Sequence, residues 1–363
     1  METYRVGILG ATGMVGQRFV TLLENHPWFQ VVMVAASPAS AGKTYRDAVE
    51  GRWHMTTPIP AGVAERRVYS VIDDLAHIAG QVDLVFSALD LDKETIRSIE
   101  CEYAAAGVAV ISNNSAHRWT DDIPMIMPEV NAHHTALIDT QRANRGWTTG
   151  CIAVKPNCSI QSYVSILNAL KQFEPTDVSV TSLQAISGAG KTFATWPEMV
   201  DNVIPFIGGE EEKSEREPLK IWGEVTENGV KLAENPTIRA TCIRVPVSDG
   251  HLAAVDATFA RPLSEQVILE AITNYASPLP DMGLPSAPEP LIQYLADDNR
   301  PQTKLDREYS HGMGVSMGRL RAIDDHRWQF IALSHNTIRG AAGGAILMAE
   351  LFAHEGYIVR RGQ

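Results

Sequence analysis

The chain is expected to be an α/β protein, an N-terminal doubly wound parallel sheet followed by an α+β domain. Three observations predict this. Over the first 150 residues or so, apolar runs of strand length alternate with segments of helical periodicity, the pattern of repeated βαβ units. Beyond Pro175 the runs are rich in β-branched residues and separated by turn signals, as in a mixed or antiparallel sheet. The length, 363 residues, suits about two domains. The expected division is 1–155, 156–335 and a C-terminal segment, 336–363, that packs back on the first domain.

The elements follow in order. Residues 4–9 read as a strand, closed by Gly10-Ala-Thr-Gly13-Met-Val-Gly16. Residues 17–24 carry Phe19, Val20, Leu22 and Leu23 at helical spacing. Strands are expected at 31–36, 82–87, 108–111 and 151–154, with a helix at 93–106. Pro156-Asn-Cys-Ser159 is a tight turn leading into helical periodicity at 160–173. In the second domain, strands are expected at 178–186, 238–247, 251–259, 313–323 and 328–334. Ser248-Asp249-Gly250 between two of them reads as a hairpin turn. Five prolines between 278 and 290 imply an extended segment. Residues 210–217 are a charge run, and 337–354 a long final helix. No internal repeat or low-complexity tract is visible.

Composition excludes several classes. Hydrophobic residues are 45% and charged residues 20%, so the chain is not mainly disordered. The net charge of −12 argues against a nucleic-acid surface, which needs a basic excess. Four cysteines are too few for a disulfide scaffold, and without a CxxC pair no metal centre is expected. No uncharged apolar run reaches about 18 residues, so no membrane span is expected. A strand already at 4–9 leaves no signal peptide before the fold, and a cytoplasmic location is expected.

The turn 10–16 lies between a strand and a helix. Glycines there let backbone approach a pyrophosphate, while the helix N-terminus supplies free N–H groups. Gly10, Thr12, Gly13, Met14, Val15 and Gly16 are therefore expected to line a dinucleotide, although helix packing alone also calls for such glycines. At the tip of the next strand no acid stands ready for a ribose 2′-hydroxyl. Ser37, Ser40 and Lys43 stand there instead, which suits the 2′-phosphate of NADP. Gly188-Ala-Gly190-Lys191-Thr192 resembles the end of a phosphate-binding P-loop, but the glycine such a loop needs five residues earlier is Ala185.

Cys158 sits where a buried strand hands over to a helix, a place that favours the thiolate and lowers its pKa. Asn157 beside it can donate to an oxyanion. Cys101, Cys151 and Cys242 lie in apolar or periodic stretches and read as core. His251, opening a strand after the Ser-Asp-Gly turn, is the best-placed base. Arg244, across that turn, comes to the same end of the sheet if the two strands form a hairpin. A surface histidine and a solvated arginine would look the same in sequence.

Taken together, these segments resemble aspartate-semialdehyde dehydrogenase, in the branch found in archaea and fungi. The resemblance runs from Gly-Ala-Thr-Gly-Met-Val-Gly at 10–16 through Pro-Asn-Cys-Ser at 156–159 and Gln184-Ala-Ile-Ser-Gly-Ala-Gly190. It continues in Ile207-Gly-Gly-Glu-Glu-Glu-Lys213, Arg244-Val-Pro-Val-Ser-Asp-Gly-His251 and Asn336-Thr-Ile-Arg-Gly-Ala-Ala-Gly-Gly344. It implies a glyceraldehyde-3-phosphate-dehydrogenase-like fold and NADPH-dependent conversion of 4-phospho-L-aspartate to L-aspartate 4-semialdehyde, in biosynthesis of lysine, threonine, methionine and isoleucine. It further implies Cys158 as nucleophile, His251 as general acid/base and Gln184 as the residue orienting substrate at the thiol. By the same resemblance Arg244 clamps the substrate carboxylate, Glu210 receives its ammonium, and Lys213 and Arg118 hold phosphate. Ser187, Gly188 and Asn336 line the nicotinamide, and a homodimer or homotetramer is implied, with 198–229 as a contact arm. Where the family often has arginine in the 2′-phosphate loop, this chain has Ala39. Malonyl-coenzyme A reductase and a non-catalytic NADP-binding sensor are the alternatives. Malonyl groups lack the ammonium that Glu210 together with Arg244 suits, and a sensor predicts cofactor binding without thiol reactivity at Cys158.

Overall fold

The structure, a computed structural model, describes residues 3–360. The first sheet holds β1 (Tyr4–Leu9), β2 (Phe29–Ala36), β3 (Val68–Ser70), β4 (Leu84–Ser87), β5 (Ala109–Ser112) and β6 (Cys151–Val154). All pairs are parallel, in the order β3-β2-β1-β4-β5-β6. Every residue of β4, β5 and β6 is buried, as expected of parallel strands covered by helices on both faces. The strand order reverses at β1, where Gly10 turns the chain into the helix Met14–Leu22. Gly10 has φ +81°, and a β-carbon there would lie 2.2 Å from the Ala88 carbonyl oxygen, so only glycine fits. The edge strand β3, three residues long, was not anticipated from sequence.

The second sheet is mixed. It comprises β7 (Pro175–Gln184), β10 (Thr237–Arg244), β11 (His251–Phe259), β12 (Ile292–Leu295), β13 (Val315–Ala322) and β14 (Arg327–Ser334), in the order β10-β7-β11-β14-β13-β12. A separate hairpin joins β8 (Glu224–Thr226) to β9 (Gly229–Lys231). One face of the large sheet packs on the helix Gln161–Ala169, with Tyr163, Val164 and Leu167 in the same core as Val178, Val180, Val255 and Phe330. The other face carries Ser179, Thr181, Asp256, Arg321 and Gln329.

Two expectations fail here. β10 and β11 do not form a hairpin, because β7 lies between them, parallel to β10 and antiparallel to β11. The turn signal at 248–250 is real, but the longer-range pairing with β7 takes the edge of each strand. The proline-rich stretch is also not uniformly extended, since Pro280–Met282 forms a 3-10 turn. The final segment begins with a π-helical turn, Ile338–Ala342, and continues as the helix Gly343–His354. Its Ala345, Ile346, Ala349 and Phe352 share a core with Val6, Ile8 and Ile111 of the first sheet and with Phe19 of the helix Met14–Leu22.

Candidate active site

The connection from β6 brings Cys158 to the boundary between the two sheets. The next helix starts at Gln161, with Ile160 as its N-cap, so the sulfur precedes the first turn. Asn157 shapes this turn by accepting the Ser159 N–H on Oδ1 at 2.7 Å. From the other side, β7 and β10 end where β11 begins. Gln184 pairs with Arg244 across β7 and β10, and Leu252 pairs with Leu183 across β11 and β7. Arg244 and His251 therefore flank Gln184, the arrangement that a hairpin was expected to provide.

The Cys158 Sγ lies 3.4 Å from His251 Nε2. The Ala185 N–H donates to His251 Nδ1 at 3.1 Å, so the neutral ring carries its proton on Nε2, facing the sulfur. Burial, reinforced by the charge of Arg244, holds His251 down to about 3. Burial also pushes the Cys158 thiol up to about 12, helped by Glu210 and opposed by Arg118, Arg244 and Lys213. The ligand-free pair is thus an uncharged thiol and an uncharged imidazole. This reverses the expected depression of the thiol, because desolvation outweighs the dipole of a helix that starts three residues later.

A cavity of about 370 Å³ opens over the sulfur, lined by Gln184, Glu210, Lys213, Arg244, Arg118 and Asn157, among others. Glu210 opens the helix Glu210–Ile221 and is 9% exposed. Its carboxylate accepts from Lys213 Nζ at 2.7 Å, Asn157 Nδ2 at 3.0 Å and Gln184 Nε2 at 3.4 Å. The side-chain amide of Asn157 is thereby turned toward Glu210. Arg244 Nη1 donates to the Ala185 carbonyl at 2.7 Å.

The same cavity reaches the nucleotide end through Val15, Ser187, Gly188, Asn336 and Thr337. Asn336 Nδ2 donates to Ser187 Oγ at 2.9 Å, and its Oδ1 accepts the Gly250 N–H at 2.8 Å. At the glycine turn the N-cap Gly13 supplies no side-chain cap, and the first turn of the helix carries no acid. Its free N–H groups and open backbone fit a pyrophosphate. Ser37 and Lys43 are exposed beyond β2, whereas Ser40 is buried and its N–H closes a turn on the Ser37 carbonyl at 2.9 Å. Among the described residues no cluster of His, Cys, Asp or Glu suits a metal ion.

Two family models match the chain, one described as semialdehyde dehydrogenase, NAD binding domain, over residues 5–138 and one as semialdehyde dehydrogenase, dimerisation domain, over 167–339. The chain is 42% identical over 352 residues to aspartate-semialdehyde dehydrogenase of Archaeoglobus fulgidus, covering 97% of this chain and 98% of that one. The chain belongs to the aspartate-semialdehyde dehydrogenase family. The Schizosaccharomyces pombe member is 41% identical over 365 residues, covering 98% and 99%. The crystal structure of the Candida albicans aspartate-semialdehyde dehydrogenase, determined with NADP, superposes with a TM-score of 0.86 at 34% identity, covering 98% of this chain and all of that one. Both the fold and the NADP cofactor expected from sequence agree with these relatives.

Three residues beside this aspartate-semialdehyde dehydrogenase site escaped sequence reading. Glu217 is fully buried. One of its oxygens accepts Arg118 Nη1 at 2.8 Å and the other the Asn157 N–H at 2.6 Å. A signal existed, since Glu217 follows Glu210 by seven residues and Ser214 by three, which places all three on one helix face. Lys155 is 2% exposed and donates to Gln161 Oε1 at 3.2 Å, and burial holds its ammonium down to about 7. Asn113 lines the cavity with both ends of its amide unpartnered. Nothing in the sequence separates these last two from ordinary polar residues.

Proposed function

We propose that this chain catalyses the NADPH-dependent reductive dephosphorylation of 4-phospho-L-aspartate to L-aspartate 4-semialdehyde, with Cys158 as the nucleophile. The observation that carries this is the 3.4 Å approach of Cys158 to His251, inside a cavity that gathers one acid and three cations of complementary chemistry. Gly10, Thr12, Gly13, Met14, Val15, Gly16, Ser37, Ser40 and Lys43 are the residues that would hold the dinucleotide, with Ser187, Gly188 and Asn336 at its nicotinamide.

Arg244 offers a planar guanidinium to the substrate carboxylate, a bidentate match that lysine lacks. Glu210 offers a carboxylate to the ammonium, and Gln184 sits between the two. The sulfur forms a bond to the acyl carbon as the bond to phosphate breaks, and the thiol proton leaves with the phosphate. Arg118 and Lys213 take up the negative charge of that leaving group. Bound NADPH supplies the hydride that reduces the thioester. The Nε2–H of His251 then faces the tetrahedral oxygen and the departing sulfur. In this tautomer the ring donates a hydrogen bond to the tetrahedral oxygen and has no second proton to give, so the proton taken up by the departing sulfur comes from solvent and His251 acts by positioning and polarising. Splitting the reaction at a covalent intermediate replaces one hard step by two easier ones.

The domain division stands at 1–155, 156–335 and 336–363 in this proposal. We assign a cytoplasmic location and a homodimer or homotetramer, with the exposed Val200, Val203 and Phe206 in the arm that makes the contact. Among the described residues no helix is long and apolar enough to cross a membrane.

The test is a spectrophotometric assay of L-aspartate 4-semialdehyde, phosphate and NADP, run beside malonyl-coenzyme A with NADPH. Phosphate-dependent NADPH formation in the first and no NADPH oxidation in the second is expected. Cys158→Ala should abolish it while the protein stays folded, and retained activity would remove Cys158 from the chemistry.

A further inference from the structure

Three cations face the cavity over Cys158, and they are paired unequally. Arg118 is fixed by the buried Glu217 at 2.8 Å and by the Lys155 carbonyl at 3.0 Å. Arg244 has no carboxylate within ion-pair distance among the described residues and holds the Ala185 carbonyl. Lys213 is bound to Glu210 at 2.7 Å, with side-chain exposures of 31% and 11%. Glu210 is also gripped by Asn157 and Gln184. In this pair the lysine, on a half-exposed flexible stem, is the member free to move.

An amino-acid headgroup brings one carboxylate and one ammonium. The carboxylate matches the unpaired Arg244. The ammonium matches Glu210, whose Oε1 already carries Lys213, and two ammonium groups on one carboxylate oxygen repel each other. We propose that the substrate ammonium displaces Lys213 from Glu210 and thereby frees Lys213 to bind phosphate, so that this ion pair couples the two substrate subsites. The proposal rests on the roles given above to Glu210 and Arg244. Without the headgroup, phosphate meets only Arg118, whose charge Glu217 already balances. With it, phosphate also meets an unpaired ammonium. Linkage makes the effect reciprocal, so phosphate tightens headgroup binding by the same factor. An acyl substrate lacking the ammonium leaves Lys213 where it is, and the pair therefore discriminates at the phosphate step as well as at binding.

The test is calorimetric titration of inorganic phosphate into the NADP-bound protein, alone, with saturating L-2-aminobutyrate, and with butyrate. L-2-aminobutyrate carries both charges of the headgroup and no aldehyde, and butyrate lacks the ammonium. Phosphate affinity should rise about tenfold with L-2-aminobutyrate, within the usual span of such couplings, and stay unchanged with butyrate. Glu210→Gln, which releases Lys213 permanently, should bind phosphate as tightly without L-2-aminobutyrate as the unaltered protein does with it. If L-2-aminobutyrate binds and phosphate affinity does not move, the coupling is refuted while the site assignment stands. If L-2-aminobutyrate does not bind at all, the headgroup role of Glu210 fails and the coupling with it.

Discussion

Glu217 accepts the Asn157 N–H at 2.6 Å with one carboxylate oxygen and Arg118 Nη1 at 2.8 Å with the other. A single buried acid thus fixes both the residue before the reactive sulfur and a guanidinium of the cavity wall. Removing one member of a buried, hydrogen-bonded ion pair typically costs about 3–5 kcal/mol. Glu217→Ala should lose about that much stability in urea unfolding. A loss under 1 kcal/mol would mean that Arg118 finds another partner.

Gly188 leaves no room for a side chain. A β-carbon there would lie 2.9 Å from Arg244 Nη1 and 3.0 Å from the His251 ring. Gly188→Ala should therefore push both groups aside by a few tenths of an ångström, a fraction of the roughly 1 Å displacement that can cost on the order of 100-fold in rate. We expect kcat/KM to fall by about tenfold with the melting temperature unchanged. Undiminished kcat/KM would show that the two side chains relax without consequence.

Arg244→Lys keeps the charge and loses the planar fork. One charged hydrogen bond is worth about 1.5–3 kcal/mol, so kcat/KM for the aldehyde should fall by roughly 10- to 100-fold with a higher KM. Equal kinetics in the two proteins would take Arg244 out of the substrate site.

Labelling of Cys158 by iodoacetamide, followed by mass spectrometry, reports its ionisation directly. With the thiol pushed up to about 12 by burial, the labelling rate of the ligand-free protein should still be climbing at pH 10. A plateau below pH 8 would contradict it.

Acid stability follows from the buried histidines. Burial holds His117 and His134 down to about 4 and His251 to about 3, against about 6.5 in an unfolded chain. Below pH 6.5 the unfolded chain takes up protons that the folded one refuses. Stability should thus be full above that pH and fall as the pH drops toward 4. Thermal unfolding between pH 8 and 4.5 checks this. His134→Gln, which keeps a donor for the Gly223 carbonyl that His134 Nε2 meets at 3.0 Å but cannot gain charge, should flatten the slope.

Much of the first sheet was legible because its strands announce themselves. Leu84–Ser87 and Cys151–Val154 are apolar runs of strand length bounded by turns or helical segments. Val68–Ser70, three residues on an edge, has too few residues to carry a period. In the second sheet the strands were found but not their order, since the insertion of β7 between β10 and β11 depends on contacts about sixty to eighty residues apart. The site was legible where residue type and position coincide, as at Cys158 and His251. Glu210 and Lys213 lie in a run of charge that local composition assigns to solvent, and only the resemblance singled them out. Glu217 needed the helix face that the same run conceals. The ionisation of Cys158 was misjudged because burial is a property of the packed whole.

The reactive sulfur lies between the last strand of one sheet and the helix Gln161–Ala169 packed on the other, where Gln184 and Arg244 end two strands and His251 opens the adjoining third. Hydrogen-bonded neighbours in one sheet keep their spacing when that sheet shifts as a body. Any hinge-like movement between 1–155 and 156–335 would therefore carry sulfur, imidazole and the grip on the amino-acid head together and alter chiefly their distance from the glycine turn at 10–16. What such a movement adjusts is the reach from the sulfur to the dinucleotide.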